Sequence, residues 1–304
     1  MKIFGTVLVV LGVVMFGGML VPLASADTLN TADSFAVLAG SAVSNAGAGV
    51  LGATVITGGL GVDPGSACSG FKTCPTTGPG MITGSLDLGN GVALKAQNDL
   101  TNAYTILGAK AGTTEPADMN GLTLGPGVYT VPAETLTGTL TLSDGGVAGS
   151  QFVFVLGALT TATGAKIDVS GLSPSDSVFW VIGSSATLGN NTVFDGNILA
   201  LTSITFDPGA TDLCGRALAE NGAVSFAGQD PNSLTQNQVS IGCSGNLAGS
   251  NGLGGGTSTG TGGGGGSPVP EPGILGLGLI GLSGLCLFGW RRHRAGGARS
   301  VDFC

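Results

Sequence analysis

The sequence contains a single histidine, His293, which lies close to the C-terminus. The rest of the chain therefore lacks the imidazole that most catalytic triads, general bases and zinc sites use. A Ser-Lys hydrolase or a glycosidase with paired carboxylates remains possible. However, turn chemistry accounts for the candidate acids, since each lies near Gly, Ser or Pro. These acids are Asp144, Asp168, Asp176 and Asp195. We therefore expect a protein that is not an enzyme and holds no cofactor or metal.

Basic residues are also scarce. Between residues 27 and 248 the chain has 5 Lys and Arg residues against 16 Asp and Glu residues, a net charge of −11. A domain with this charge repels nucleic acid and anionic membrane surfaces. The acids are scattered singly, which is typical of solvated loops. We therefore expect no nucleic-acid partner.

The N-terminus has the features of a secretory signal peptide. Lys2 precedes an apolar run from Ile3 to Leu23, and Ala24-Ser25-Ala26 gives the small-residue pattern of a cleavage site. An N-terminal membrane anchor is the alternative, but the run is short and its flanks are of the cleavage type. Residues 1–26 are therefore predicted to be a signal peptide.

The C-terminal part combines a linker, a short motif and an apolar span. Residues 249–268 are rich in Gly, Ser and Thr and cannot build a core. Pro270, Glu271 and Pro272 then precede an apolar span at 273–290, and Arg291 and Arg292 follow it.

This pattern resembles the PEP-CTERM sorting signal of Gram-negative bacteria. The resemblance implies that the protein is exported, is retained by the membrane span and is processed by an exosortase. The sorting signal then covers residues 269–295, and a tail at 296–304 follows it. A plain C-terminal membrane anchor is the alternative, and the Arg cluster favours a cytoplasmic C-terminus in either case.

Four cysteines remain once Cys286 in the span and Cys304 in the tail are set aside. An even number in an oxidising compartment predicts disulfides, of which three pairings are possible from sequence alone. Because Cys68 and Cys74 flank a short polar loop, the simplest pairing joins them to each other and joins Cys214 to Cys243. No C-x-x-C spacing indicates a metal site.

Short apolar strands separated by Gly, Asn, Asp and Pro fill the interior of the chain. From residue 138 onward they resemble one another: GTLTLSDGG (138–146), ALTTATGAKID (158–168), SATLGNNTVFD (185–195), SITFDPGATD (203–212) and AVSFAGQD (223–230). Because side chains alternate between the two sides of a strand, aligning these segments gives two columns of inward residues. The first column is Leu159, Ala186, Ile204 and Val224, and the second is Thr161, Leu188, Phe206 and Phe226. The residues between the columns point outward in one file: Thr160, Thr187, Thr205 and Ser225, extended by Thr139 or Thr141.

Further apolar strands lie between these segments, at 152–157, 178–183, 197–201 and 216–221. Repeats of this size, with a few short strands each, predict an all-β dominated, irregular β-solenoid. The segment 91–110 instead has helical spacing at Val92, Ala96, Leu100, Ala103 and Leu107. One long α-helix is therefore expected to pack alongside the solenoid.

An ordered set of segments resembles the bacterial and fungal ice-binding protein family. The set includes LNTADSFAVLAGSAVSNAG, TVITGGLGVDPGSA, GLTLGPGVYTV, LTGTLTLSDGG, SQFVFVLGALTTATGA, VFWVIGSSATLGNNTVFDGNILALTSITF and GRALAENGAVSF, which together cover nearly all of residues 28–229. The resemblance implies a discontinuous right-handed β-solenoid (β-helix) at 27–248, with a flanking helix and one flat face that adsorbs to ice.

A solenoid face of small side chains presents a two-dimensional grid close to the repeat distances of ice, since strands stack about 4.8 Å apart and alternate residues lie about 6.7 Å apart. The predicted ice-contacting residues are Thr139, Thr160, Ala162, Ser185, Thr187, Gly189, Ser203, Thr205 and Ser225. Asp207 departs from this pattern, because a hydrated carboxylate roughens the grid. Threonine is also simply a good residue for a solvated strand face, so the file alone is not specific.

Together these observations predict an exported ice-binding protein that inhibits ice growth and recrystallisation. The expected partners of the protein are the ice surface, with the ordered water on it, and an exosortase-type enzyme. The protein is expected to contact the membrane only through the C-terminal span, before processing. It is expected to be a monomer. After processing it lies at the cell surface or outside the cell. A surface-matrix or adhesion protein without ice activity is the alternative. A carbohydrate binder or lyase on a solenoid is disfavoured by the few aromatic residues and the absence of a basic cluster on the strands.

Overall fold

A computed structural model of the protein describes residues 29–47, 54–228 and 239–241. In these residues the alternation of apolar and hydroxyl side chains produces short parallel strands. Gly, Asn and Asp at the ends of the strands allow the chain to turn a corner after every few residues. Three strands and three corners make one coil of a β-solenoid, as predicted.

The strands in chain order are β1 (Phe35–Ala39), β2 (Ala42–Asn45), β3 (Thr54–Ile56), β4 (Gly59–Val62), β5 (Ala67–Phe71), β6 (Thr76–Ile82), β7 (Leu86–Leu88), β8 (Thr113–Thr114), β9 (Thr123–Leu124), β10 (Gly127–Val131), β11 (Glu134–Leu136), β12 (Thr139–Ser143), β13 (Gln151–Leu156), β14 (Leu159–Thr161), β15 (Lys166–Gly171), β16 (Ser177–Ile182), β17 (Ala186–Leu188), β18 (Val193–Phe194), β19 (Asn197–Ala200), β20 (Ile204–Phe206), β21 (Thr211–Asp212), β22 (Arg216–Ala219), β23 (Val224–Phe226) and β24 (Val239–Ile241). A 3₁₀ helix at Asn30–Ser34 precedes β1.

The strands form the three faces of the solenoid. Sheet A has the order β7-β4-β1-β22-β19-β16-β13-β10-β8. Sheet B has the order β11-β14-β17-β20-β23-β2-β5, and sheet C has the order β3-β24-β21-β18-β15-β12-β9. The long strand β6 pairs with β5 and with β3 and so joins sheets B and C at one end.

The stacking order is discontinuous with respect to the chain. The first coil does not start the stack, because β1 lies between β22 and β4, and β2 lies between β23 and β5. The helix α1 (Gly91–Gly108) makes this possible. It follows β7 at one end of sheet A and precedes β8 at the other, and its 18 residues span about 27 Å of the stack.

Helix α1 was predicted at about 91–110 and is confirmed. It begins at Asn90, whose side chain accepts hydrogen bonds from the backbone N–H groups of Val92 and Ala93. The prediction of its buried face was wrong at one position, since Val92 is 57% exposed and Ala93 is buried instead. Val92 is the second residue of the helix and lies before the first of the apolar residues that pack against sheet A.

Two layers of apolar side chains hold the fold together. The interior of the solenoid contains a stack of aromatic rings in which the centroids of Phe154 and Trp180 lie 4.0 Å apart and those of Phe206 and Phe226 lie 4.9 Å apart. Such pairs contribute roughly 0.5–1.5 kcal/mol beyond the area they bury. The second layer lies between α1 and sheet A. The two predicted inward columns are confirmed, since all their residues are buried.

Several predicted features lie outside the described residues. They are the signal peptide at 1–26, the linker at 249–268, the sorting segment at 269–295 with its span at 273–290, the tail at 296–304, and Cys243. In the described part of the chain, no helix has both the length and the apolar character needed to cross a membrane. The predicted disulfide between Cys68 and Cys74 is present.

Candidate functional site

Sheet A is not available as a binding surface over most of its length, because α1 covers its outer side. The outward residues Phe179, Leu199 and Leu218 are fully buried against buried helix residues such as Leu100 and Leu107. The outer side of sheet A is therefore a second core, and the candidate surfaces are sheets B and C.

Sheet C has an outer surface of mixed chemistry. Lys166 and Asp168 form an exposed ion pair on β15, with 3.5 Å between Nζ and Oδ1. Hydrogen bonds from Ser170 and the charge of Lys166 hold the pKa of Asp168 below its usual range. Farther along the same face, Val193 is half-buried and Met81 is 39% exposed. Sheet C thus mixes charged and apolar side chains with hydroxyl side chains such as Thr123 and Thr211.

Sheet B presents one uninterrupted file of hydroxyl side chains. Its outward residues pair from strand to strand in direct register. In stacking order these residues are Thr135, Thr160, Thr187, Thr205, Ser225, Ser44 and Ser69. Strand spacing puts neighbouring hydroxyls about 4.8 Å apart, so the file is about 29 Å long.

Small side chains flank the file on both sides. The positions two residues earlier are Ala133, Ala158, Ser185, Ser203, Ala223, Ala42 and Ala67. The positions two residues later, at the corner with sheet C, are Thr137, Ala162, Gly189, Asp207, Ala227 and Ala46 on the first six strands, whereas the equivalent residue of β5, Phe71, is fully buried. Among these positions only Asp207 is ionisable, and it is half-buried. We call this surface, the file with its two flanking columns, the flat face.

The structure brings most of the sequence-predicted residues together on the flat face. Thr160, Thr187, Thr205 and Ser225 lie in the central file. The other residues that the structure places there belong to the flanking columns: Ala162, Ser185 and Ser203.

Two of the predicted positions are corrected by the structure. Thr139 lies on β12 of sheet C, where it pairs with Lys166, and Thr141 lies on the same strand. The residue that continues the file is Thr135 on β11. Gly189 keeps its place in the flanking column, but it is buried rather than exposed, and a Cβ added there would come within 2.3 Å of the carbonyl oxygen of Thr161.

The misplacement of Thr139 has a physical cause. The segment from Glu134 to Ser143 contains two Thr-Leu alternations, one on each side of a corner. Glu134 occupies the inward position of β11, where the other strands have Leu159 or Ala186, and its side chain is only 2% exposed. A charged residue at a core position hid this strand from a search for apolar alternation.

Buried hydrogen bonds hold the corner between sheets B and C rigid. The hydroxyl oxygens of Thr161 and Thr192 lie 2.7 Å apart inside the solenoid, and the backbone N–H of Gly189 donates to Thr161 Oγ1 at 2.8 Å. Farther along, the buried Asn45 side chain donates to Gly70 O at 2.9 Å and accepts from Thr54 Oγ1 at 2.8 Å. This network fixes the backbone beneath the flat face.

A small loop ends the flat face beyond β5. The disulfide between Cys68 and Cys74 joins residues whose Cα atoms are 5.3 Å apart, and it closes a loop in which Lys72 is exposed. The hydroxyl file reaches β6 at Thr76, but the register shifts there. The regular part of the flat face therefore consists of the seven strands of sheet B.

Comparison with known proteins identifies the family. Residues 37–230 match the family described as Ice-binding-like, and residues 268–294 match the PEP-CTERM protein-sorting motif. An ice-binding protein from Nostoc sp. (strain HG1) is 44% identical over 207 residues, which cover 67% of this chain and 72% of the relative. Ice-binding protein K3-B1 from Typhula ishikariensis is 30% identical over 201 residues, which cover 60% of this chain and 79% of the relative.

Solved structures agree with this assignment. An ice-binding protein from an Antarctic biological consortium superimposes with a TM-score of 0.60 at 38% identity, covering 71% of this chain and 90% of that one. An ice-binding protein from the Antarctic ascomycete Antarctomyces psychrotrophicus gives a TM-score of 0.58 at 33% identity, covering 67% of this chain and 98% of that one. The chain belongs to the Ice-binding-like family and carries a PEP-CTERM sorting motif at its C-terminal end.

Proposed function

We propose that this protein adsorbs to ice through the flat face of sheet B and thereby inhibits ice growth and recrystallisation. The observation that carries the proposal is the continuous hydroxyl file on a surface of small side chains, in a chain of the Ice-binding-like family. Sheet A is covered by α1 and sheet C carries the Lys166–Asp168 ion pair, so sheet B is the surface best suited to a crystal plane.

The proposed mechanism follows from the geometry of the face. A rigid sheet repeats about every 4.8 Å across strands and about every 6.7 Å along them, which gives a two-dimensional grid. The hydroxyl of each threonine can join a water lattice, and its methyl group orders neighbouring water. Because threonine is stiff at χ1, little side-chain entropy is lost on adsorption. Inhibition then results when adsorbed molecules block the addition of water to the crystal.

The acids of the domain serve the fold rather than a reaction. Asp176 accepts hydrogen bonds from the backbone N–H groups of Ser150 and Ser173, and Asp144 accepts one from Gly146. These are structural roles at the turns where the chain leaves sheet C. We therefore assign no catalytic function, and we propose that the protein acts on ice as a monomer, without a cofactor or metal.

The sorting motif supports a proposal for location and processing. Residues 1–26 act as a signal peptide, 27–248 form the ice-binding domain, and 249–268 are the linker. Residues 269–295 then direct the chain to an exosortase-type enzyme, with the span 273–290 holding it in the membrane until processing. The mature protein lies at the cell surface or outside the cell.

Ice-affinity partitioning of the domain at residues 27–248, recovered as exported protein, tests the function. We expect the protein to enter the growing ice fraction and to change the shape of a crystal seen under the microscope. Bovine serum albumin in the same sample controls for trapping of solute. A protein that remains wholly in the liquid and leaves crystal shape unchanged would instead be a surface-matrix or adhesion protein that has kept the fold.

A further inference from the structure

The hydroxyl file of the flat face changes composition halfway along its length. From the outer end at β11, the first four residues are threonines and the next three are serines. The threonine half is Thr135, Thr160, Thr187 and Thr205, and the serine half is Ser225, Ser44 and Ser69. The change occurs between β20 and β23, next to the point where the N-terminal coils enter the stack.

The two halves offer different chemistry to a crystal plane. A threonine presents a methyl group and a hydroxyl, whereas a serine presents a hydroxyl alone. In the serine half, the Ser44 hydroxyl donates a hydrogen bond to Ser225 Oγ at 3.2 Å. A hydroxyl that donates to its neighbour has no proton left to donate to the ice lattice. The serine half thus lacks the methyl groups and also uses up part of its hydrogen-bonding capacity within the sheet.

The sheet has room for threonine in the serine half. Thr187 and Thr205 pair directly across β17 and β20, and both are half-buried. Ser225 and Ser44 occupy the equivalent positions on β23 and β2, and they are also half-buried. Two threonines side by side therefore already fit this sheet, and β-branched side chains favour strands.

We infer that the threonine half of the flat face supplies most of the strength of ice adsorption and that the serine half limits it. This inference rests on the proposed function and makes Ser225 and Ser44 the residues that hold the affinity down. It implies that adding two methyl groups in the serine half strengthens adsorption. Removing two methyl groups from the threonine half weakens it.

Four variants of the exported protein test the inference. For each variant, the fraction of protein that partitions into ice and the thermal hysteresis, which is the gap between the melting and freezing temperatures, are measured at equal protein concentration. S44T/S225T is expected to raise the partitioned fraction and the hysteresis about two- to fourfold, since each methyl group withdrawn from liquid water favours adsorption. T187S/T205S is expected to lower both by a similar factor. T139S and S143T make the same exchanges on β12 of sheet C and are expected to leave both readouts unchanged.

The outcomes separate this inference from the proposed function. If the unaltered protein enters ice but neither double variant differs from it, the inference is wrong and the proposed function stands. If T139S or S143T changes adsorption as strongly as the sheet B variants, the ice face lies elsewhere and the inference is also wrong. If the unaltered protein does not enter ice, both are wrong. Equal thermal unfolding midpoints among the variants exclude a loss of fold as the cause.

Discussion

Ser44 Oγ and Ser225 Oγ lie 3.2 Å apart in adjacent strands of sheet B, although 181 residues separate them in the chain. Their pairing marks the place where the first coil of the chain docks onto the last complete coil. The same junction places β1 against β22 in sheet A. The flat face is therefore continuous only if the N-terminal coils remain docked.

Arg216 holds this junction together from the side of sheet A. Its guanidinium forms a salt bridge with the Asp33 carboxylate, donates to Asp33 O at 3.0 Å and donates to Asn197 Oδ1 at 2.9 Å. We expect Arg216→Ala to lower the free energy of unfolding by about 2–3 kcal/mol, because charge-assisted hydrogen bonds on a partly buried side chain are lost. Urea denaturation followed by circular dichroism measures the change.

Lys95→Ala provides the matched control for Arg216. Lys95 also pairs with an aspartate, Asp99, at 3.2 Å, but its side chain is 63% exposed. Its loss is expected to cost no more than about 0.5 kcal/mol. If the two substitutions lower the free energy of unfolding equally, Arg216 is an ordinary surface charge and does not hold the N-terminal coils in place.

Glu134 makes stability depend on pH. Burial, assisted by the nearby Asp118 carboxylate, raises the pKa of Glu134 from its ordinary value of 4.5 to about 7. The native state thus favours the protonated form, and stability from this group is fully present below pH 4.5. It is lost as the pH rises toward 7, by up to about 3 kcal/mol, since one pKa unit corresponds to about 1.4 kcal/mol. The unfolding free energy at pH 5 should therefore exceed that at pH 8.

Glu134→Gln isolates this contribution. The amide oxygen can still accept the hydrogen bond that the Met119 N–H donates to Glu134 Oε1 at 3.2 Å, but the side chain no longer ionises. The variant is expected to be more stable than the unaltered protein at pH 8, and the fall in its stability between pH 5 and pH 8 should be smaller. If both proteins lose stability equally over this range, another group is responsible.

The disulfide between Cys68 and Cys74 is expected to stabilise the end of the solenoid without taking part in ice adsorption. Its loop is short, so the double substitution to serine should lower the free energy of unfolding by about 2 kcal/mol. Ice partitioning should be retained, because the loop lies beyond the regular part of the flat face. Loss of ice partitioning in a variant that stays folded would contradict this view.

The pairing of Cys214 with Cys243 remains a prediction. Peptide mapping of the exported protein without reduction is expected to recover these two cysteines in one linked pair of peptides. Recovery of Cys243 joined to Cys68 or to a second molecule would contradict the prediction.

Local periodicity was sufficient to predict much of the fold. Several strands of sheet A, such as β13, β16 and β19, appear in the sequence as apolar runs, and the helical spacing of Ala96, Leu100 and Leu107 located α1. Because strand side chains alternate, Thr187 could be assigned to the outer surface from its neighbours Ala186 and Leu188 alone. These features depend only on residues close together in the chain.

The remaining features depend on contacts between distant parts of the chain. Ser44 and Ser69 join the file because β2 and β5 stack beyond β23, and no local pattern indicates this order. Thr135 was missed because the buried Glu134 interrupts the apolar alternation beside it. A search for hydroxyl residues flanked by two small or apolar neighbours, without regard to chain order, would have found Ser69, which lies between Cys68 and Gly70.

The location of the ice-adsorbing surface can be tested with one bulky side chain. Thr187 is the third of the seven residues of the central file, and Thr187→Tyr should hold neighbouring groups away from a crystal plane. Since position 187 faces solvent, the free energy of unfolding should change by no more than about 0.5 kcal/mol. Ice partitioning should nevertheless fall about tenfold or more, because a single protrusion introduces a clash that separates many matched contacts at once.

Two controls place the same side chain on the other exposed surfaces. Asn98→Tyr lies on the exposed side of α1. Thr139→Tyr lies on sheet C, where the structure places Thr139 instead of in the file of sheet B. Both should enter ice as the unaltered protein does. If Thr139→Tyr abolishes partitioning while a folded Thr187→Tyr does not, sheet C is the ice-adsorbing surface, despite its ion pair. The hydroxyl file of sheet B would then be only a solvated strand face, because its regular spacing would have no effect on ice.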